Sequence, residues 1–166
     1  MRLTSIRLVL FGLVMALGAQ ANAQNLAARS TGTPTRVVFV CEHGSVKSLV
    51  AALYFNRRAE ERGLPYRATA RGTAPDTAVP APVRDGLQAD GFAVLGFVPR
   101  LLRASDVEDA ALVVSFDQDI TKTVGGRAPY LKWDDLPGVL ADYARGRDAI
   151  IGQIDTLVSE LEHVSP

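Results

Sequence analysis

The sequence contains very few of the residues that build disulfides and metal sites. Its 166 residues include one cysteine, Cys41, and two histidines, His43 and His163. A single cysteine excludes an internal disulfide, and so few ligands exclude the clustered cysteine and histidine pattern of a zinc site. Two interpretations of Cys41 stay open at this point, a small buried hydrophobe at the end of a strand or a reactive thiol.

The chain also lacks an excess of charge of either sign. It has 18 basic and 18 acidic residues, which gives a formal net charge of +0. No basic patch interleaved with aromatic residues is present, so nothing in the sequence indicates nucleic-acid binding. The composition identifies no protein partner either.

A long apolar run occurs only near the N-terminus. Arg2 and Arg7 flank the start of the run Leu8–Ala19, which is followed by an Ala-Asn-Ala sequence ending at Ala23. This pattern predicts a signal peptide over residues 1–23, cleaved after Ala23, and therefore a periplasmic or secreted protein. An uncleaved N-terminal anchor is the alternative. The run is short for a transmembrane helix, so we expect no stable membrane span after cleavage.

Residues 24–35 are rich in small residues and read as a linker, and residues 36–163 form one domain. Within that domain short apolar or alternating runs predict strands, and 3.6-residue periodicity predicts helices. Ser105 is the predicted N-cap of a short helical turn, and Phe92–Val98 is ambiguous between strand and loop. The predicted strands are Arg36–Val40, Tyr66–Gly72, Leu112–Phe116 and Pro129–Trp133; the predicted helices are one ending at Gly63, one over about Ala81–Asp90 and a long one from Gly138 onward.

Strands alternating with helices predict an α/β fold, with a parallel sheet covered on both faces. Ligands of such sheets bind at the carboxyl ends of the strands, near a change in strand order. Cys41 lies at the end of the first predicted strand, directly before the loop that leads into the first helix. A loop of this kind exposes unpaired N–H groups at the positive end of the helix dipole, which is a site for an oxyanion.

The loop contains a recognisable motif. Cys41 is followed by five residues, a cation and a serine, which resembles the CxxxxxRS phosphate loop of low-molecular-weight protein tyrosine phosphatases and their arsenate reductase relatives. Lys47 stands where the family has arginine, so the resemblance implies a catalytic role for Lys47 in holding the charge of the transition state. Lys47 lacks the planar fork of a guanidinium. The resemblance implies a three-layer α/β/α fold with a four-stranded parallel sheet, no cofactor and Cys41 as nucleophile. It assigns substrate binding to Glu42, His43, Gly44, Ser45, Val46, Lys47 and Ser48.

The same resemblance implies a carboxylic acid on a loop after the last strand, which protonates the leaving group and later activates water. Trp133 aligns with the aromatic residue before the paired acids of the reductases, which makes Asp135 the predicted acid and Asp134 its rival. Leu136 separates this aspartate from Pro137, unlike the family's Asp-Pro pair. Ordinary turn and cap roles for both aspartates are the alternative. Leu136 also stands where the phosphatases carry aromatics, so tyrosine phosphate is poorly supported as substrate.

Three functions follow as expectations. The first is an exported phosphatase-like hydrolase that acts on a phosphate monoester or related oxyanion through a cysteinyl-phosphate intermediate. The second is an arsenate reductase-like protein, which would need an outside thiol because Cys41 is the only cysteine. The third is a catalytically degenerate module that binds an oxyanion or senses oxidation through Cys41.

Overall fold

The computed structural model describes residues 33–164. The predicted signal peptide over residues 1–23 lies outside the described residues, as does most of the predicted linker. No helix within residues 33–164 combines the length and apolar character that crossing a bilayer requires.

A sheet of four parallel strands lies at the centre of the fold. Its strands are β1 (Thr35–Cys41), β2 (Tyr66–Gly72), β3 (Ala110–Phe116) and β4 (Tyr130–Trp133). They lie in the order β2-β1-β3-β4, and every pairing is parallel. The predicted parallel four-stranded sheet is therefore confirmed, with β2 at an edge.

Five helices connect and cover these strands. They are α1 (Lys47–Glu61), α2 (Ala81–Ala89), α3 (Ala104–Glu108), α4 (Thr121–Val124) and α5 (Tyr143–Val164). Two helical predictions need correction, and one helix was missed. The last helix begins at Tyr143 rather than near Gly138, because residues 139–141 form a turn. Ser105 lies inside α3, whose N-cap is Arg103. The single turn α4 was not predicted.

Two clusters of buried side chains lie on opposite faces of the sheet. Val37 and Phe39 of β1 belong to the larger cluster, together with residues of α1, α2 and α5. Val38 and Val40 alternate with them and belong to the smaller cluster, with residues of α3 and α4. Because successive side chains of a strand point to opposite faces, β1 contributes to both cores. The predicted three-layer α/β/α architecture is confirmed.

Asp90, which caps the C-terminal end of α2, ties three helices together. Its Oδ2 accepts hydrogen bonds from the Tyr54 hydroxyl of α1 at 2.8 Å and the Tyr143 hydroxyl of α5 at 2.6 Å. Arg147 donates to Oδ1 at 3.0 Å. Burial alone would raise the pKa of Asp90, but the hydrogen bonds from Tyr143, Tyr54 and Arg147 lower it. Burial and the bond to Asp90 raise the pKa of Tyr54 to about 12.

The topology singles out the carboxyl end of β1. The chain passes from β1 to β2 on one side and then crosses to β3 on the other side. In open parallel sheets such a reversal opens a crevice beyond the strand ends. Cys41 is the last residue of β1 and therefore lies at this crevice.

Candidate active site

The thiol of Cys41 lies at the base of the loop between β1 and α1. The residue is 5% exposed. Its Sγ atom receives a hydrogen bond from the Gly44 backbone N–H at 3.2 Å, and it lies 3.1 Å from the fully buried Ser48 hydroxyl. A main-chain donor and a hydroxyl thus both contact the sulfur, and hydrogen bonds of this kind stabilise a thiolate.

The carbonyl groups of the loop point away from the sulfur. The oxygens of Cys41, Glu42 and His43 accept hydrogen bonds from backbone N–H groups in residues 73–76, at 3.1, 2.9 and 3.0 Å. Because the peptide unit is planar and trans, each following N–H points in the opposite direction. The N–H groups of His43 and Gly44 are therefore directed away from residues 73–76, and that of Gly44 reaches Sγ.

Two glycines permit this close packing of the loop on the end of β2. Gly44 has a φ of +67°, a left-handed conformation that favours glycine. A Cβ atom there would lie 2.8 Å from the backbone nitrogen of Gly72. A Cβ atom on Gly72 would in turn lie 2.8 Å from the carbonyl oxygen of Glu42. Both positions exclude a side chain, so the loop conformation depends on both glycines.

The N-terminal end of α1 has no side-chain cap. Its N-cap residue, Val46, cannot donate or accept a capping bond, and no acidic residue lies in the first turn. Within residues 33–164 no protein atom accepts a hydrogen bond from the backbone N–H groups of His43, Ser45, Val46 or Lys47. These donors lie in one loop at the positive end of the dipole of a 15-residue helix, an arrangement suited to an anion.

Asp76, in the segment between β2 and α2, holds the loop from outside. Its Oδ2 accepts a hydrogen bond from the buried Ser45 hydroxyl at 2.5 Å, and its Oδ1 lies 3.2 Å from Nδ1 of His43. Its backbone N–H also donates to the carbonyl of His43. One residue thus fixes two side chains and one peptide unit of the loop. The sequence motif contains the loop but not this partner.

Lys47 is engaged by groups on the far side of the crevice. Its Nζ donates to Oδ2 of Asp117 at 2.5 Å and to the Leu136 carbonyl at 2.8 Å. An ammonium group has three donors, so one N–H of Lys47 is left for another acceptor. Lys47 as a ligand of the transition state stays a prediction. The contacts do show that it joins the Cys41 loop to the loops after β3 and β4.

The predicted acid, Asp135, lies next to this ion pair. Its backbone N–H donates to Oδ1 of Asp117 at 3.2 Å, and its side chain is exposed. Its rival Asp134 is paired with Lys132 at 2.9 Å. Asp117 and Asp135 have φ values of 55° and 60°, the only positive values of non-glycine residues in the described part of the chain. These two residues with left-handed backbone therefore both lie beside the candidate site. The role of Asp135 as the acid stays a prediction.

A cavity of about 210 Å³ opens beside the sulfur. Cys41 and Lys47 line it from the loop, with Asp117 and Gln118 after β3. Val139 and Leu140 are among its apolar lining residues. Of the predicted substrate-binding residues, Glu42, His43, Val46 and Lys47 line this cavity, and Gly44, Ser45 and Ser48 do not. The two candidate acids, Asp134 and Asp135, do not line it either. Among residues 33–164 no group of three or more His, Cys, Asp and Glu side chains is placed to hold a metal ion.

Sequence reasoning missed Asp76 and Asp117 as parts of this site. One signal was available for Asp117, which follows a buried strand at the same edge of the sheet as Cys41. The contacts themselves span 70 and 31 residues of sequence, which no local pattern reveals.

Comparisons with known proteins identify a family for this chain and structures with a similar fold. The family described as "Low molecular weight phosphotyrosine protein phosphatase" matches residues 36–130, more than half of the chain. No curated protein matches. Solved structures with a similar fold include YfkJ from Bacillus subtilis, with a TM-score of 0.70, 16% identity, and coverage of 82% of this chain and 100% of that one.

Two further structures with a similar fold are a tyrosine phosphatase and an arsenate reductase. A low molecular weight protein tyrosine phosphatase from T. tengcongensis has a TM-score of 0.66 and 19% identity, covering 76% of this chain and 99% of the other. A thioredoxin-dependent arsenate reductase from Corynebacterium glutamicum has a TM-score of 0.67 and 15% identity. The match covers 84% of this chain and 68% of the reductase chain. At these identities the likeness concerns the fold.

Proposed function

Because this chain belongs to the low molecular weight phosphotyrosine protein phosphatase family, whose fold also carries arsenate reductases, we propose that it is a cysteine-dependent phosphatase. Its substrate is a phosphate monoester or a related oxyanion. The observation that carries this proposal is the contact of the Gly44 N–H and the Ser48 hydroxyl with Sγ of Cys41. The N–H groups of His43 and of residues 45–47 in the same loop lack acceptors in the described part of the chain.

Catalysis proceeds in two steps through a cysteinyl-phosphate. The thiolate of Cys41 attacks phosphorus, and water then hydrolyses the sulfur–phosphorus bond. The phosphoryl oxygens lie against the N–H groups of residues 43–47 and the start of the helix dipole, which stabilise their charge in the transition state. Ser48 donates to the sulfur and so favours its departure in the second step. No cofactor is needed for either step.

Lys47 supplies the cation of the loop while remaining tied to Asp117. Since two of its contacts are to Asp117 and Leu136, its free donor is the one directed to substrate. A guanidinium in its place would offer two parallel donors to a phosphoryl group and keep further donors for Asp117. We expect Lys47 to support slower turnover than an arginine would.

The apolar side of the cavity favours an organic leaving group. Leu140 is 47% exposed and lines the cavity together with the buried Val139. Aliphatic side chains hold a nonpolar group without the stacking that an aromatic wall gives a phenol ring. This supports an organic phosphate monoester without selecting tyrosine phosphate.

The experiment is turnover of an aryl phosphate by the purified protein, compared with Cys41→Ser and Lys47→Arg. We expect Cys41→Ser to lower kcat by at least about 10³-fold and Lys47→Arg to raise it. Turnover that survives the loss of the thiol would reject the proposal. The circular dichroism spectrum of each variant controls for folding.

A second candidate is an oxyanion-binding module without turnover. The specific observation in its favour is the pairing of Lys47 with Asp117, because a cation that already has a carboxylate partner stabilises a transferring phosphoryl group less well. In the same assay this module would bind inorganic phosphate, by calorimetry, and show no turnover in either the native or the Lys47→Arg protein.

An arsenate reductase-like activity is tested separately. Cys41 is the only cysteine of the sequence, so the thiol that completes reduction must come from outside the chain. Arsenate-dependent oxidation of glutathione, lost in Cys41→Ser, would support this activity. Phosphatase turnover without glutathione oxidation would favour hydrolysis.

Export of the protein is a proposal that rests on residues 1–23 alone. The arginines, the apolar run and the Ala-Asn-Ala sequence before Gln24 support cleavage after Ala23. Fractionation of cells followed by N-terminal sequencing tests it directly. A protein that starts at Gln24 in the periplasm or medium agrees with export, and an intact N-terminus in the cytoplasm contradicts it.

A further inference from the structure

The candidate site has a proton-transfer problem. A monoester with a poor leaving group needs an acid that protonates the departing oxygen, and that acid must reach the substrate. The aspartates after β4 do not line the cavity: Asp134 is paired with Lys132, and Asp135 contacts Asp117 through its backbone. Asp117 does line it, but one of its oxygens binds Lys47 and the other binds the Asp135 N–H.

Two titratable side chains of the Cys41 loop, Glu42 and His43, line the cavity without contacting Lys47. The negative charge of the Glu42 carboxylate repels a bound phosphate, which leaves His43 as the candidate acid. It lines the same cavity as Cys41, and its side chain is 40% exposed. Its Nδ1 lies 3.2 Å from Oδ1 of Asp76. Its Nε2 lies 3.9 Å from the Glu42 carboxylate, which is too far for a hydrogen bond. One ring nitrogen is therefore anchored, and the other is open to substrate.

Asp76 restricts the orientation of this ring in two ways. Its carboxylate can only accept a hydrogen bond, so Nδ1 of His43 carries the hydrogen and Nε2 is the nitrogen that gains or loses a proton. Its backbone N–H also donates to the His43 carbonyl, so the pair is joined through both main chain and side chain. The other carboxylate oxygen holds Ser45, which limits rotation of Asp76 itself.

We infer that His43, oriented by Asp76, is the general acid and base of this site, in the role that the family pattern assigns to an aspartate after the last strand. This inference rests on the proposed phosphatase function. His43 would be a catalytic residue, and Asp76 a positioning residue that acts through it.

The proton balance of both steps is simple. In the first step a bond forms between Sγ of Cys41 and phosphorus while the bond from phosphorus to the leaving oxygen breaks. The proton on Nε2 of the His43 imidazolium moves to that oxygen. In the second step neutral Nε2 takes a proton from water, whose oxygen bonds to phosphorus as the sulfur–phosphorus bond breaks. Thiolate, imidazolium and inorganic phosphate result.

The test is the dependence of kcat/KM on the leaving group, because kcat/KM reports the first chemical step for each substrate. Asn in place of His43 keeps a donor to Asp76 and removes the titratable nitrogen. We expect His43→Asn to lower kcat/KM for phenyl phosphate by roughly 10²-fold. For dinitrophenyl phosphate, whose leaving group needs no protonation, the expected change is less than about threefold.

Three comparisons make the result decisive. His163→Asn replaces the other histidine of the chain, which lies near the end of α5. This change should leave kcat/KM for both substrates unaltered. Asp76→Asn should show a weaker form of the same selective loss. Inhibition by inorganic phosphate should be unchanged in His43→Asn, which shows that the loop is intact.

An equal loss on both substrates would overturn the role of His43 and leave the phosphatase function standing. So would a selective loss on phenyl phosphate in Asp135→Asn that is absent in His43→Asn. Native protein that turns over neither substrate through Cys41 would overturn the inference and the proposed function together.

Discussion

The backbone N–H groups at the two ends of α1 differ in their hydrogen bonding. At the C-terminal end the N–H groups of Arg62, Gly63 and Leu64 donate back to carbonyls of the last turn, at 3.1, 3.1 and 2.8 Å. At the N-terminal end no side chain caps the helix, and the free N–H groups lie in the loop beside Cys41. Where a helix end satisfies its own groups it serves stability, and where it leaves them unpaired it is available to a ligand.

A pair of glycines makes this comparison experimental. Gly44 and Gly63 have nearly the same φ, +67° and +65°, but a Cβ atom at Gly63 would meet nothing within 4 Å. We expect Gly44→Ala to lower kcat/KM by about 10³-fold. The loop must then move away from Gly72, so its backbone N–H groups no longer point at the phosphoryl oxygens. Gly63→Ala should keep full activity and lose about 1 kcal/mol of unfolding free energy. Comparable activities of Gly44→Ala and Gly63→Ala would contradict the claim that only the N-terminal end of α1 serves catalysis.

Anion binding should stabilise the protein through the N-terminal end alone. Phosphate at 100 times its Kd is expected to raise the unfolding free energy by about 2.7 kcal/mol, because only the folded loop gathers the donors. The measurement is urea unfolding with phosphate and with sodium chloride at matched ionic strength. The same stabilisation by both salts, or in Gly44→Ala, would show that the loop does not bind the anion.

Tyr54, in the middle of α1, makes the unfolding free energy depend on pH. Since the pKa of Tyr54 is raised to about 12 in the folded protein, the folded form keeps a proton that the unfolded chain releases above pH 10. The stability from this group is therefore complete below pH 10 and is lost as pH rises through about 12. We expect the fall in unfolding free energy between about pH 9 and pH 11 to be about 1 kcal/mol smaller in Tyr54→Phe. If the unfolding free energy fell equally in the native protein and in Tyr54→Phe, the Tyr54 hydroxyl would not contribute to the pH dependence of stability.

The C-terminal end of α1 should be insensitive to loss of its surface contacts. Arg62 binds Glu162 at 3.1 Å and the Ser159 hydroxyl at 3.0 Å, both at exposed positions on α5. We expect Arg62→Ala to cost no more than about 0.5 kcal/mol and to leave activity unchanged. A thermal unfolding scan with a parallel aryl phosphate assay checks both, and any loss of activity would connect this end to the site.

The sheet was predictable because each strand is a short apolar or alternating run bounded by turns. Tyr66–Gly72 was predicted with the bounds observed, and parallel pairing followed from the alternation of strands with helices. The start of α5 was not predictable, because Leu140 continues its periodic pattern through a turn that is not helical. Ser105 has the chemistry of an N-cap, yet α3 starts one residue earlier.

The loop of the site was predictable and its partners were not. Cys41, Gly44 and Ser48 lie within eight consecutive residues, so strand, turn and helix start fix their relation locally. Asp76 and Asp117 reach the loop only because β2 and β3 flank β1, and their roles depend on that strand order. Neither partner belongs to the motif that identified the loop.

The central claim is that the sulfur of Cys41, which contacts the Gly44 N–H and the Ser48 hydroxyl, attacks phosphorus. Rapid acid quenching during turnover of an aryl phosphate, followed by mass spectrometry of peptides, tests it directly. We predict a phosphoryl group on the peptide that contains Cys41, appearing before the steady state and absent in Cys41→Ser. Turnover with no adduct at any quench time, or with the phosphoryl group on another residue, would contradict the account.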